Sequence, residues 1–201
     1  MSARPFTDFE YSLLCQYFAE KNRTRDRLLL VLGCATGFRI RELVSLTVAQ
    51  AWDGEGVVRE ITIQRRALKG GRGPRRHAVR NRRVPLSEAA RAAIRDHLAR
   101  VGTGDPSRAL FSTSRSGGAG MSRSQSFRIL VEACEACGID AARISTHSLR
   151  KMFANKIFAA SGHDLIRTQR VMGHTSPATT AKYLETDQGE LDRLVLASAA
   201  A

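Results

Sequence analysis

Acidic residues are scarce in this 201-residue chain: 19 Asp and Glu stand against 32 Lys and Arg, a formal net charge of +13. That imbalance points to a polyanionic partner. No apolar run approaches the length of a membrane span, and the start "MSARPFTDFE" has no apolar signal core. Both absences predict a soluble, intracellular protein. A basic amphipathic helix with a bulky aromatic face is also missing, which favours nucleic acid over a membrane surface as the polyanion. Cysteine occurs four times, at Cys15, Cys34, Cys134 and Cys137. The CxxC at 134–137 has no second pair at close spacing, as a zinc site would require. Phe127, Leu130, Val131, Cys134 and Cys137 instead form one stripe at helical spacing, so the thiols read as packed core. Clustered Asp and Glu residues are absent too, so no set is in place to hold a divalent metal. Internal repeats and a clear linker are lacking, and the length suits one domain.

What is present is mostly helical pattern. "TDFE" at Thr7–Glu10 is a capping box opening a helix on which Phe9, Leu13 and Tyr17 share a face. "RDRLLLVLGCATG" is apolar nearly all round and predicts a buried helix ending at Gly37. "FRIRELVSL" is a further helical stretch. "DGEG" at Asp53–Gly56 signals a turn, and "EITIQ" alternates like a strand. From Gln64 to Leu86 the chain predicts a hairpin with a long basic loop and a return strand ending near Val84. Nine Lys or Arg residues and no acid lie in the stretch from Gln64 through Arg83. Ser87 caps a helix with Ala90, Ile94, Leu98 and Val101 inward. A loop-rich connection surrounds an apolar patch at Leu110-Phe111. Helical pattern then covers Ser124–Cys137, His147–Ala160, Asp164–Met172, Pro177–Glu185 and a final "GELDRLVLASA". The expected fold class is mainly α with one small antiparallel β-sheet (α+β).

Four places hold residues suited to chemistry. Arg39 follows the Gly37 break, with Glu42 one turn on. Lys69 lies in the basic hairpin. His147 and Arg150 in "THSLRKMFA" are three apart and share a helix face. His174 precedes a segment that opens Ser176-Pro177 and runs to Tyr183, near the expected end of a helix started by proline behind a serine cap. Each has a plainer explanation alone: a surface arginine, a capping histidine, a solvated charge run, a packed tyrosine ring. Together they suit phosphate chemistry. Arginine offers a planar fork of donors that matches two phosphate oxygens and stays charged. Two forks could hold the charge that builds in a pentavalent transition state. A tyrosine hydroxyl ordinarily ionises near pH ~10 and needs a base before it attacks, and histidine suits that task. A lysine can return the proton to the leaving oxygen.

"TGFRIREL", "HSLR", "VMGH" and "TTAKY", in that order and spacing, resemble the signature boxes of the tyrosine recombinase (phage integrase) family. The resemblance runs from about Thr7 to Glu185. It implies that Arg39 and Arg150 clamp the scissile phosphate and that His147 sits beside them as a proton-transfer or hydrogen-bonding group. It also implies that His174 bonds a phosphate oxygen and Tyr183 is the nucleophile. Lys69 resembles the family's hairpin lysine, the general acid for the departing 5′ hydroxyl, although Arg72, Arg75 and Arg76 crowd the same loop. Glu42 matches the acidic position that orients a neighbour. Arg65, Arg66, Arg72, Arg75, Arg76, Arg80, Arg82 and Arg83 are the expected DNA contacts.

The implied protein is a metal-free, cofactor-free, site-specific recombinase working through a 3′-phosphotyrosyl intermediate. Its implied partners are double-stranded DNA, three further copies of itself on two sites, and an accessory DNA-binding protein; its implied location is a prokaryotic cytoplasm. A DNA-binding regulator without turnover and a type IB-like topoisomerase are the competing readings. The implied organisation is a catalytic domain over 1–187 and a helical tail over 188–201. The family's separate N-terminal DNA-clamping domain is not expected, as in the short members that invert fimbrial promoter switches. The tail's stripe of Leu191, Leu194 and Val195 suits docking onto a neighbouring protomer or onto its own domain.

Overall fold

Capping chemistry starts the first helix. In the computed structural model, which describes residues 3–65, 68, 80–112, 120–184, 192, 195, 196 and 198, α1 spans Asp8–Glu20. The Glu10 amide donates to the Thr7 hydroxyl at 3.1 Å, and the Thr7 amide donates to the Glu10 carboxylate at 2.9 Å, closing the expected box. Leu14 and Phe18 are the fully buried side chains of α1, whereas Phe9 is 76% exposed. The inward face is therefore rotated from the Phe9–Leu13–Tyr17 stripe, of which Leu13 and Tyr17 pack partly against the core.

Helix α2 (Thr24–Thr36) is buried continuously from Leu28 to Cys34, as its all-round apolar pattern predicts. It packs against α1 and against α5 (Glu88–Val101). Each fully buried leucine contributes about 2 kcal/mol to such a core. Two short helices follow α2: α3 (Ile40–Val44) and α4 (Val48–Ala51). In the "DGEG" turn the Asp53 carboxylate accepts from the Glu55 and Gly56 amides at 3.0 and 2.8 Å.

Among the described residues the sheet has two antiparallel strands, β1 (Glu60–Ile63) and β2 (Arg82–Pro85), in the register Ile61↔Val84 and Ile63↔Arg82. Alternation turns Ile61, Ile63, Val84 and Arg82 inward. Ser87 caps α5, and the patch at Leu110-Phe111 joins the core. Helix α6 (Arg123–Ala136) packs on α1 and α3. Its Leu130 and Cys134 are buried as expected, but Phe127 is 43% exposed. Burial lifts the Cys134 thiol to about 11, and burial also raises Cys137, which leaves both protonated at neutral pH. Among the described residues no three His, Cys, Asp or Glu side chains cluster as metal ligands. No helix among them is long and apolar enough to cross a membrane.

The chain divides into two compact units, residues 1–153 and 154–201. Helix α7 (Thr146–Ala160) contributes its residues through Phe153 to the first. In the second, Asp164 caps α8 (Leu165–Met172) by accepting from the Ile166 and Arg167 amides at 2.8 and 2.9 Å. Helix α9 covers Pro177–Ala181, shorter than the expected 177–185. Pro177 begins it, but Ser176 makes no side-chain capping bond, so proline geometry alone marks that start. Of the C-terminal stripe, Leu191 and Leu194 lie outside the described residues, and Val195 is exposed.

Candidate active site

The first unit gathers its polar residues around the end of α2. Gly37 takes a left-handed conformation, φ 56° and ψ 26°, which only glycine adopts without strain. A side chain there would also meet the Phe153 ring, because an added Cβ lies 2.2 Å from its Cδ1. The turn reverses the chain so that Phe38 is buried and Arg39 emerges with its side chain 29% exposed. Glu42, itself buried, then holds Arg39 twice. One carboxylate oxygen accepts the Arg39 amide at 2.8 Å and the other its guanidinium at 3.0 Å. Backbone and side chain of Arg39 are thereby fixed together.

Helix α7 brings the second arginine. Gly33, in the last turn of α2, leaves room for Leu149: a Cβ at Gly33 would lie 2.7 Å from the Leu149 Cδ1 atom. This close approach sets Arg150, only 1% exposed, with its guanidinium donating to the Gly37 carbonyl. His147 lies three residues earlier on α7, near its start. Partial loss of water, then the positive charges of Arg150, Arg39 and Lys151, hold the His147 imidazole below the ordinary histidine pKa. At neutral pH it is uncharged and able to accept a proton.

Two residues of this cluster were not evident from spacing. Lys151 is buried and acts electrostatically on His147. Arg82, expected as a DNA contact, is 7% exposed and donates to the Thr36 carbonyl at 2.6 Å and the Gly37 carbonyl at 3.3 Å. Its guanidinium carbon lies 4.9 Å from the Phe38 ring centroid. Named among the expected DNA contacts, Arg82 is turned by the strand onto backbone carbonyls. The period-two pattern of "RVP" against "ITI" carries the signal, since Val84 inward obliges Arg82 to point inward as well. Burial first, then Arg150, lowers the Arg82 pKa to about 9, with Glu42 opposing, so it stays charged near neutrality.

The remaining basic residues differ in setting. Arg80 and Arg83 are exposed, Arg83 in an ion pair of 3.3 Å with Glu60. Arg65 is half-buried, its amide donating to the Asn81 side chain at 2.8 Å. Lys69, Arg66, Arg72, Arg75 and Arg76 lie outside the described residues.

In the second unit His174 and Tyr183 lie together. Gly173, at φ 65°, ends α8, and the Gln169 side chain donates to the His174 carbonyl at 3.0 Å. The His174 ring is 7% exposed, with Nδ1 2.8 Å from the Thr180 hydroxyl. Tyr183 falls in the turn after α9, its amide donating to the Thr180 carbonyl at 2.8 Å. Its ring centroid is 5.3 Å from that of His174. Thr180 therefore orients both, one through its hydroxyl and the other through its carbonyl.

The phage integrase family model matches residues 5–190. The chain belongs to the phage integrase family. This integrase-family chain is 31% identical over 191 residues to "Tyrosine recombinase XerD" of Pseudomonas putida, covering 93% of its own length and 58% of that relative. It is 26% identical over 173 residues to "Probable integrase/recombinase YoeC" of Bacillus subtilis, covering 86% of its own length and 83% of that protein. Against the Corynebacterium glutamicum XerD recombinase it is 33% identical and spans 47% of the relative. The chain thus spans about half the length of the XerD relatives it matches. Among solved structures, the XerA recombinase superposes with a TM-score of 0.73 at 21% identity, over 98% of this chain and 64% of that one. The XerH recombinase bound to its difH substrate does so with a TM-score of 0.68 at 20% identity, over 95% and 53%. These two likenesses establish the mainly α fold with its small antiparallel sheet.

Proposed function

We propose that this chain is a tyrosine-type site-specific DNA recombinase that cuts and rejoins strands through a covalent 3′-phosphotyrosyl intermediate. The observation that carries the reading is the pairing of Arg39 and Arg150 across the Gly37 turn, with an uncharged His147 beside them, in a chain of the phage integrase family. Two guanidinium groups held by fixed partners suit the developing charge of a phosphoryl transition state.

In this reading Arg39 and Arg150 bind the non-bridging oxygens of the scissile phosphate. The Tyr183 oxygen attacks phosphorus and its proton passes to a neighbouring base, for which His147 is suited. The bond from phosphorus to the 5′ oxygen breaks, and Lys69 supplies the proton that makes the 5′ hydroxyl. His174 donates to a phosphate oxygen, its ring held by Thr180. A new 5′ hydroxyl then reverses the step and releases Tyr183, so no external energy is consumed. The net charge of +13 supports double-stranded DNA as substrate, as do the fold neighbours solved with DNA, and four protomers acting on two sites complete the proposed assembly.

The test uses nicked duplexes tiled across the DNA on both sides of the coding region, incubated with native protein and resolved under denaturing conditions. A covalent adduct with native protein and none with Tyr183→Phe is expected. No adduct on any duplex would sink the reading. Relaxation of supercoiled DNA without sequence preference would replace it with a topoisomerase.

A further inference from the structure

Arg82 occupies a place where an apolar side chain would be expected. It sits inward on β2, opposite Ile63 and two residues from the buried Val84. A buried guanidinium is costly unless well satisfied, and an apolar residue of similar volume commonly serves stability as well or better. The surrounding charges do not compensate fully: Arg150 and Arg39 oppose the Arg82 charge, and Glu42 favours it. What Arg82 does have is backbone. Its terminal nitrogens reach the Thr36 and Gly37 carbonyls, while its Nε makes no hydrogen bond among the described residues. The Gly37 oxygen is shared, because Arg150 donates to it as well. Those carbonyls close the C-terminal end of α2, three and two residues before Arg39.

We propose that Arg82 is a positioning residue that, by gripping the Thr36 and Gly37 carbonyls, fixes both the turn carrying Arg39 and the oxygen holding Arg150. It thereby sets the spacing of the two phosphate-binding guanidinium groups without itself touching DNA. The consequence for cleavage rests on the recombinase reading; the consequence for geometry does not.

Three measurements on Arg82→Gln and Arg82→Lys separate these. The first needs no DNA: the His147 ring is titrated by NMR in the native chain and both variants. Arg82→Lys keeps the positive charge and loses the two-point grip, so a change in that variant reports displacement of Arg150 or Arg39 rather than the loss of Arg82's own charge. In Arg82→Gln the His147 pKa should rise toward its ordinary value, and Arg82→Lys should restore part of the native shift. The second is the salt dependence of binding to a random-sequence duplex, whose slope should be unchanged; a fall of about one unit would mark a direct phosphate contact and overturn the proposal. The third is single-turnover adduct formation on the duplex captured above. Its rate should drop about 100-fold in Arg82→Gln and about 10-fold in Arg82→Lys, with binding unchanged. A native His147 titration together with native cleavage in Arg82→Gln would overturn the proposal. If Arg82→Gln does not fold, native behaviour of Arg82→Lys in both assays would do so. If the native chain forms no adduct, the recombinase reading fails, while the His147 titration still decides the role of Arg82.

Discussion

At the scale of single residues, the site depends on charges held in fixed places. Glu42 is buried with both oxygens on Arg39. Glu42→Gln keeps the shape and loses the charge-assisted bonds, so unfolding free energy should fall by about 2 kcal/mol in urea titration, and adduct formation should slow with it. His147 gives a pH prediction. Its folded pKa lies below the ordinary value of about 6.5, so the unfolded chain takes up the proton first as pH falls. The stabilisation tied to its neutral form is complete above about pH 6.5 and is lost as pH drops through the folded value. Urea midpoints measured at about pH 7.5 and about pH 5.5 should therefore converge in His147→Asn relative to the native chain. A variant as acid-sensitive as the native chain would show that other groups govern that window, His97 foremost, because burial lowers its pKa too.

At the scale of elements, two glycines at the end of α2 govern where the arginines stand. Gly33→Ala gains about 1 kcal/mol of helix propensity but drives a methyl group into Leu149, at 2.7 Å from its Cδ1 atom and 3.2 Å from its Cβ. The net effect should be a loss of about 1–2 kcal/mol, read as a lower melting temperature. Gly37→Ala adds left-handed strain to a clash with the Phe153 ring and should lose more. This is also the scale at which sequence and structure part. Short-range signals were readable: the Thr7–Glu10 box, the left-handed stop at Gly37, the alternation of "EITI" and the proline start at Pro177 all sit within a few residues of what they control. Rotations set by tertiary packing were not. The inward face of α1 follows its packing on α2 and α6, which leaves Phe9 outside. The end of α9 follows the contacts of Thr180 rather than helix propensity. Arg39, Glu42, His147 and Arg150 could be picked out from residue type and order, whereas Arg82 was concealed by its basic neighbours, because a run of like residues hides the one that points inward.

At the scale of the whole molecule, the excess of basic residues should appear as steep salt dependence. The logarithm of the affinity for a random duplex should fall linearly with the logarithm of salt concentration, by about 0.9 per phosphate neutralised. Arg80→Ala and Arg83→Ala should each flatten that slope by about one unit and leave the melting temperature alone, since both side chains are exposed and the Arg83–Glu60 pair is a surface contact. Unchanged slopes would remove this end of the hairpin from the DNA path.

The shared acceptor at Gly37 has a consequence for how an anion would be received. A peptide oxygen carries no net charge, so it orients Arg82 and Arg150 without neutralising either of them. A carboxylate in the same place would compete with an incoming phosphodiester and would have to be displaced before it could dock. Being neutral, that acceptor itself subtracts nothing from the attraction of the pair for a polyanion approaching from solution.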